Sequence, residues 1–157
     1  MKKSFLLVLC LMLMMAVGCK DGNEPVENDK EQGEVEKVKV QIFQPDDDYM
    51  KLISKEVEID QLNEQALWDE LVKINILTED TKINSFEQKE GLLVMDVNAA
   101  FEDYIGTMGT SGESMTLGSL VNTYLTAYHA DELKLTVDGE TLCSGHAEYD
   151  QNFTMYE

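Results

Sequence analysis

Apolar and polar residues alternate from Val38 onward, and this pattern predicts a β-hairpin. Val38, Val40 and Ile42 are separated by single residues, as in a strand with one buried face. The polar segment 45–48 predicts a turn, and residues 50–59 resume the alternation as a second strand. The folded region is therefore expected to begin with two antiparallel strands.

Apolar residues spaced three and four apart predict two helices further along. Asn63 is suited to cap the first helix, with Leu62 and Leu67 placed to pack across that cap. The segment 107–114, rich in Gly, Ser and Thr, predicts a loop before the second helix. The apolar face of that second helix consists of Leu117, Leu120, Val121, Tyr124, Leu125 and Tyr128.

Three further strands complete the pattern. Residues 83–89 and 92–97 are predicted to form a hairpin joined at Glu90-Gly91, and the continuously apolar second strand should lie centrally in its sheet. Residues 133–137 alternate as a last strand, followed by a turn at Asp138-Gly139. The order β-β-α-β-β-α-β predicts one small α+β domain, with a mixed sheet and two helices packed on one face.

That domain is predicted to span residues 38–146, leaving 147–157 as a C-terminal tail. The tail carries three aromatic residues, Tyr149, Phe153 and Tyr156. We expect them to pack back on the domain; the alternative is that they bind sugar.

The N-terminus has the features of an export signal. Two lysines precede an apolar run over residues 5–17, which is shorter than the roughly 20 residues of a transmembrane helix. Residues 16–19 (AVGC) resemble the lipobox of bacterial lipoproteins, so residues 1–18 are predicted to be a signal peptide and Cys19 the lipid attachment site. The alternative is an ordinary secretory signal that contains a cysteine.

Charge defines the partners that the chain can have. It carries 31 acidic and 12 basic residues, all of the latter lysine, for a formal net charge of −19. This composition excludes nucleic acid as a partner and makes anionic lipid headgroups repel the protein body. Residues 19–37 are predicted to be the lipidated cysteine and a disordered acidic tether, which would hold the domain clear of the membrane.

The residue types used in catalysis and metal binding do not form a known pattern here. His129 and His146 lack the spacing of a zinc site, and the acidic run 46–48 fits a solvated turn better than a calcium loop. Glu102-Asp103 could serve a hydrolase, and the loop 106–112 lacks the basic residues of a phosphate cradle. We therefore predict no catalytic, metal or cofactor-binding residue.

Cys143 is the only thiol that remains after signal removal and lipidation. No intramolecular disulfide is then available to the mature chain. We expect Cys143 to be a small buried residue; the alternative is an exposed thiol that pairs between molecules.

Several local sequences, taken with the order of the elements, carry a family resemblance: residues 90–98 with Phe101, 109–113, 120–125, 133–140 and 144–146. Together they resemble the GerMN domain of sporulation and spore-germination proteins. This resemblance implies an assembly or interaction module, similar to the ring-building motifs of secretion and sporulation machines, without catalytic or cofactor residues.

The expected protein is a lipoprotein anchored by Cys19 at the extracytoplasmic face of the cell membrane, with a non-catalytic role in the cell envelope, in sporulation or germination. Its partner would be an envelope protein or a second copy, bound at the sheet edge or at the face opposite the helices. The alternative is a lipoprotein that binds peptidoglycan or a small ligand, in wall remodelling or germinant sensing.

Overall fold

Residues 36–157, which this computed structural model describes, form seven strands and three helices. The predicted signal peptide, Cys19 and nearly all of the predicted tether lie outside the described residues. The elements are β1 (Val38–Pro45), β2 (Leu52–Ile59), α1 (Glu64–Lys73), β3 (Ile83–Lys89), β4 (Leu92–Val97), α2 (Ala99–Gly106), α3 (Thr110–Tyr128), β5 (Glu132–Val137), β6 (Glu140–Cys143) and β7 (Glu148–Tyr149).

The strands are divided between two sheets. β1 and β2 pair as an antiparallel hairpin, and the other five strands follow the order β3-β4-β5-β6-β7. β4 and β5 are parallel, because the chain between them crosses over through α2 and α3, whereas the remaining neighbours are antiparallel. The predicted α+β class with a mixed sheet is confirmed, as is the inner position of β4.

Helix α3 is covered on all sides over its middle turns. Every residue from 116 to 125 is buried, which is the pattern of a core helix rather than a surface helix. β1 lies along it, and the amide of Phe43 donates to Thr123 Oγ1 at 3.0 Å. Leu52 and Tyr156 approach so closely at Gly118 that a Cβ there would lie 2.7 Å from Leu52 Cδ1 and 3.1 Å from the Tyr156 ring.

The core is one continuous cluster whose largest members are aromatic. Trp68 and Phe101 pack with ring centroids 6.0 Å apart, and Tyr124 is fully buried. Their polar atoms are satisfied: Trp68 Nε1 donates to the Thr81 carbonyl at 3.1 Å, and the Tyr124 hydroxyl donates to the Glu64 carbonyl at 2.6 Å.

The local signals at helix and hairpin ends agree with the structure. Asn63 Oδ1 accepts a hydrogen bond from the amide of Ala66 at 2.8 Å, as expected of an N-cap. Both predicted two-residue turns have positive φ at each position: Glu90 and Gly91 at 47° and 86°, Asp138 and Gly139 at 49° and 84°. This backbone matches the twist of the flanking antiparallel strands.

The predicted loop over residues 107–114 is wrong. Only residues 107–109 separate α2 from α3, because α3 begins at Thr110. Weak helix formers in the first turn of α3 are tolerated since Glu113 and Thr116 are buried there, and packing overrides propensity. The structure also adds a helix, α2, and two short strands, β6 and β7, so it contains three helices rather than the two expected.

Candidate interaction surfaces

The five-stranded sheet has one buried face and one open face. Alternate residues of β4 and β5, such as Met95 and Leu135, are buried in the core, and the residues between them point the other way. The open face places the half-buried Val94 beside the exposed Glu87 and Lys134. It is thus a polar surface with a small apolar centre.

Strand β3 is one edge of this sheet, because within the described residues it pairs only with β4. Ser85 and Glu87 are exposed and share the open face with Val94. Its inner side is held by Phe86, whose ring lies 4.9 Å from that of Tyr128, and by Gln88 Nε2, which donates to the Tyr128 carbonyl at 3.0 Å. A fixed edge of this kind can pair with a further strand.

A polar network fixes the end of the sheet next to α2. Asp96 accepts hydrogen bonds from Thr136 Oγ1 at 2.6 Å, the Gly139 amide at 2.8 Å and Asn84 Nδ2 at 2.9 Å. Burial opposes ionisation of Asp96, but these three donors outweigh it and lower the pKa of the carboxyl. Asn84 Nδ2 also donates to Asp138 Oδ1 at 2.9 Å, so the network joins β3, β4 and the β5–β6 turn.

The C-terminal tail packs on β5 and α3. Phe153 is buried and exchanges backbone hydrogen bonds with Leu133 at 2.9 and 2.7 Å. The Asn122 side chain bonds both backbone groups of Tyr156, at 3.0 and 2.8 Å. Residues 148–156 enclose a cleft of about 470 Å³ beside these contacts.

A buried carboxyl lies beneath the tail. Glu113 is 2% exposed, and its Oε1 accepts a hydrogen bond from the Tyr149 hydroxyl, while its Oε2 is buried without a hydrogen-bond partner among the described residues. Burial and the Glu113 carboxylate raise the pKa of Tyr149. Glu113 therefore links α3 to the tail through a side-chain hydrogen bond.

The turn between β1 and β2, residues 46–51, is ordered by its first residue. Asp46 Oδ1 accepts from the amides of Met50 and Lys51 at 2.8 and 3.3 Å, and the Asp46 amide donates to the Lys51 carbonyl at 2.9 Å. This agrees with the interpretation of the acidic run as a turn. The side chains of Tyr49 and Met50 project into solvent.

Cys143 is exposed, so the expectation that it is buried is wrong. It lies at the end of β6, where its amide donates to Glu102 Oε1 at 2.8 Å. Partial desolvation, then the Glu148 and Glu102 carboxylates, raise the pKa of the thiol, which disfavours a nucleophilic thiolate. The His146 ring contacts Met108, with Nε2 3.1 Å from the Met108 carbonyl oxygen.

The two histidines are not brought together with other ligand types. His129 ends α3 in a left-handed conformation at φ 52°. In residues 36–157 no cluster of three or more His, Cys, Asp and Glu residues is placed to hold a metal ion. The same residues include no helix of the length and hydropathy needed to cross a membrane.

The α3-centred arrangement of a mixed sheet and a separate hairpin defines a class of small α+β domain. Residues 26–143 match the sequence model of the Germane family, described as sporulation and spore germination. Because this match covers more than half of the chain, the protein belongs to that family. Among curated proteins, none matches the sequence.

Solved structures share the fold at low sequence identity. A Clostridium perfringens protein provisionally described as a lipoprotein is 19% identical, with a TM-score of 0.50 over 75% of this chain and 87% of that one. The first GerMN domain of the Bacillus subtilis sporulation protein GerM is 15% identical, with a TM-score of 0.55 over 74% and 97%. The tandem GerMN domains of GerM give 20% and 0.57, over 76% of this chain and 44% of that one. The predicted resemblance to GerMN domains is confirmed.

Several surface features escaped the sequence analysis. The polar network around Asp96 joins residues from three strands and the β5–β6 turn, so no local pattern reveals it. The buried state of Glu113 was likewise hidden inside a segment assigned to a loop. A helical pattern over residues 101–105, where Phe101 and Ile105 are four apart, was available and would have revealed α2.

Proposed function

We propose that this protein is a lipoprotein, anchored at the extracytoplasmic face of the membrane by Cys19, whose domain is a non-catalytic interaction module acting in sporulation or germination. The family assignment supports a role in sporulation or germination. GerMN domains are not known as enzymes. The lipobox-like residues 16–19 support the anchor, as does the likeness to a provisional lipoprotein.

The observation that carries the proposal is the open sheet face with its β3 edge, which pairs only with β4 within residues 36–157. Ser85 and Glu87 present polar groups on this face, and Val94 gives it a small apolar centre. A partner strand could pair with the β3 backbone while its side chains contact the open face. The partner is an envelope protein or a second copy of the chain.

Crosslinking in the native cells, followed by capture of the full lipidated chain, tests the proposal. Recovery of a discrete protein partner or of a crosslinked dimer is the expected result. Absence of any protein partner, together with retention of the domain on purified peptidoglycan, would contradict it.

The second candidate, a lipoprotein that binds peptidoglycan or a small ligand, is favoured by one observation. The cleft of residues 148–156 is bordered by Tyr149, Phe153 and Tyr156, and aromatic rings next to polar side chains suit a sugar. Cosedimentation with purified peptidoglycan, lost on Tyr156→Ala, would support this candidate over the first.

A further inference from the structure

The tip of the β1–β2 hairpin, residues 46–51, exposes two large apolar side chains next to each other. Tyr49 is 63% exposed and Met50 78%, whereas the other exposed large apolar residues of 36–157, Val38 and Met155, are isolated. We propose that this tip is the anchor by which the domain enters an apolar pocket, bordered by basic residues, on a partner protein. The inference rests on the proposed function and adds a contact that lies outside the open sheet face.

The backbone of the tip is preorganised by hydrogen bonds. The Asp46 hydrogen bonds to Met50 and Lys51 fix the backbone, so little freedom remains to be lost on binding. Tyr49 adopts φ 55°, a left-handed conformation that a glycine would adopt at lower cost. A tyrosine in this strained backbone conformation supports a binding role for its side chain.

The chemistry of the tip identifies a protein rather than a lipid surface. Tyrosine and methionine are enriched at the centres of protein interfaces. Asp47 and Asp48 lie beside them and are exposed, and Lys51 is the only basic residue of the turn. Anionic headgroups would repel these carboxylates, whereas basic side chains around a pocket would attract them.

The tip also lies far from the point where the N-terminal segment joins the domain. That segment enters at Val38, and β1 then runs eight residues to the turn. At about 3.3 Å per residue, the tip is about 25 Å from this junction. A domain tethered through Val38 can therefore direct the tip away from the membrane attachment site.

Site-specific photocrosslinking in the full chain, expressed in its own cells, tests the inference. A benzophenone side chain replaces Met50, and the control carries it at Val38, an exposed apolar residue at the opposite end of β1. We expect a discrete protein adduct from position 50 and none from position 38, with the crosslinked partner peptide containing lysine or arginine beside apolar residues.

Charge and side-chain variants then test the chemistry in the Met50 crosslinking background. We expect Asp47→Asn with Asp48→Asn to reduce the adduct at least about fivefold, because rim charges steer association. Glu58→Gln with Asp60→Asn removes two exposed carboxylates at the foot of the same hairpin and should leave the yield unchanged. Tyr49→Gly should reduce the adduct without lowering the melting temperature.

Three outcomes would overturn the inference. One is an adduct with lipid only, and another is a protein adduct insensitive to both Asp47→Asn/Asp48→Asn and Tyr49→Gly. The third is no adduct from position 50. In that case a protein adduct from a benzophenone at Glu87, on the open sheet face, would leave the proposed function standing, whereas none at either position would overturn both.

Discussion

The Asp96 side chain links several polar groups of the sheet through hydrogen bonds. It accepts hydrogen bonds from Thr136, Gly139 and Asn84, and these donors lower its pKa although burial opposes them. A carboxyl whose pKa falls on folding stabilises the fold above its unfolded pKa, and loses that contribution as pH falls through the folded pKa. The network should therefore weaken in acid.

Asp96→Asn should lower the free energy of unfolding by about 1–3 kcal/mol at neutral pH, because an amide cannot accept all three hydrogen bonds. The difference from the wild type should shrink below about pH 4, where the unfolded carboxyl is protonated. Urea unfolding at several pH values measures this. Asp150→Asn, at an exposed carboxyl, is the control; an equal loss in both variants would show that the network contributes nothing.

Glu113 and Tyr149 form a second test at the residue scale. Tyr149→Phe removes the only hydrogen bond that the Glu113 carboxyl accepts among the described residues, and should cost about 1–3 kcal/mol. Glu113→Gln with Tyr149→Phe should cost less than the sum of the single variants, since each single variant already removes their shared hydrogen bond. A double-mutant cycle in urea gives the coupling, and additive effects would contradict a direct interaction.

At the scale of elements, Gly118 marks where the hairpin and the tail meet α3. Alanine normally favours a helix over glycine by about 1 kcal/mol. At Gly118, however, the new methyl would crowd Leu52 and the Tyr156 ring, and overpacking costs about 1–3 kcal/mol. Gly118→Ala is therefore expected to lower the free energy of unfolding.

Gly112→Ala in the same helix is the matched variant for Gly118→Ala. Its nearest neighbour, Met108 Cβ, would be 3.5 Å away, an ordinary contact. This variant should be neutral or stabilising in thermal unfolding. If both alanines raised the melting temperature, the close packing at Gly118 would be refuted.

The elements that the sequence predicted well are those with local causes. The β3–β4 hairpin combines two-residue alternation with a turn that demands positive φ at Glu90 and Gly91, so its bounds follow from the sequence. The start of α3 depends instead on what buries Glu113. The exposure of Cys143 depends on its place in β6, opposite Glu148 of β7, and neither feature is readable from neighbouring residues.

At the scale of the whole molecule, the charge of the chain opposes contact with an anionic membrane. A net charge of −19, with lysine as the only basic residue type, makes anionic lipids repel the chain. Under the proposed function, the lipid at Cys19 must therefore supply all of the membrane affinity.

Cys19→Ser should move the protein from the membrane fraction to the soluble fraction completely, which fractionation and immunoblotting measure. An Asp150→Asn variant should stay with the membranes. Retention of Cys19→Ser after a high-salt wash would show that something other than lipid holds the protein.

Under the proposed function, the domain binds a protein through the open sheet face and the β3 edge. The amount of crosslinked partner captured by Ser85→Lys/Glu87→Lys tests this, compared with Ser54→Lys/Glu56→Lys, which makes the same changes at the same spacing on exposed residues of β2. We predict that the β3 variant loses the partner and the β2 variant keeps it. Equal capture by both variants would contradict binding at the β3 edge.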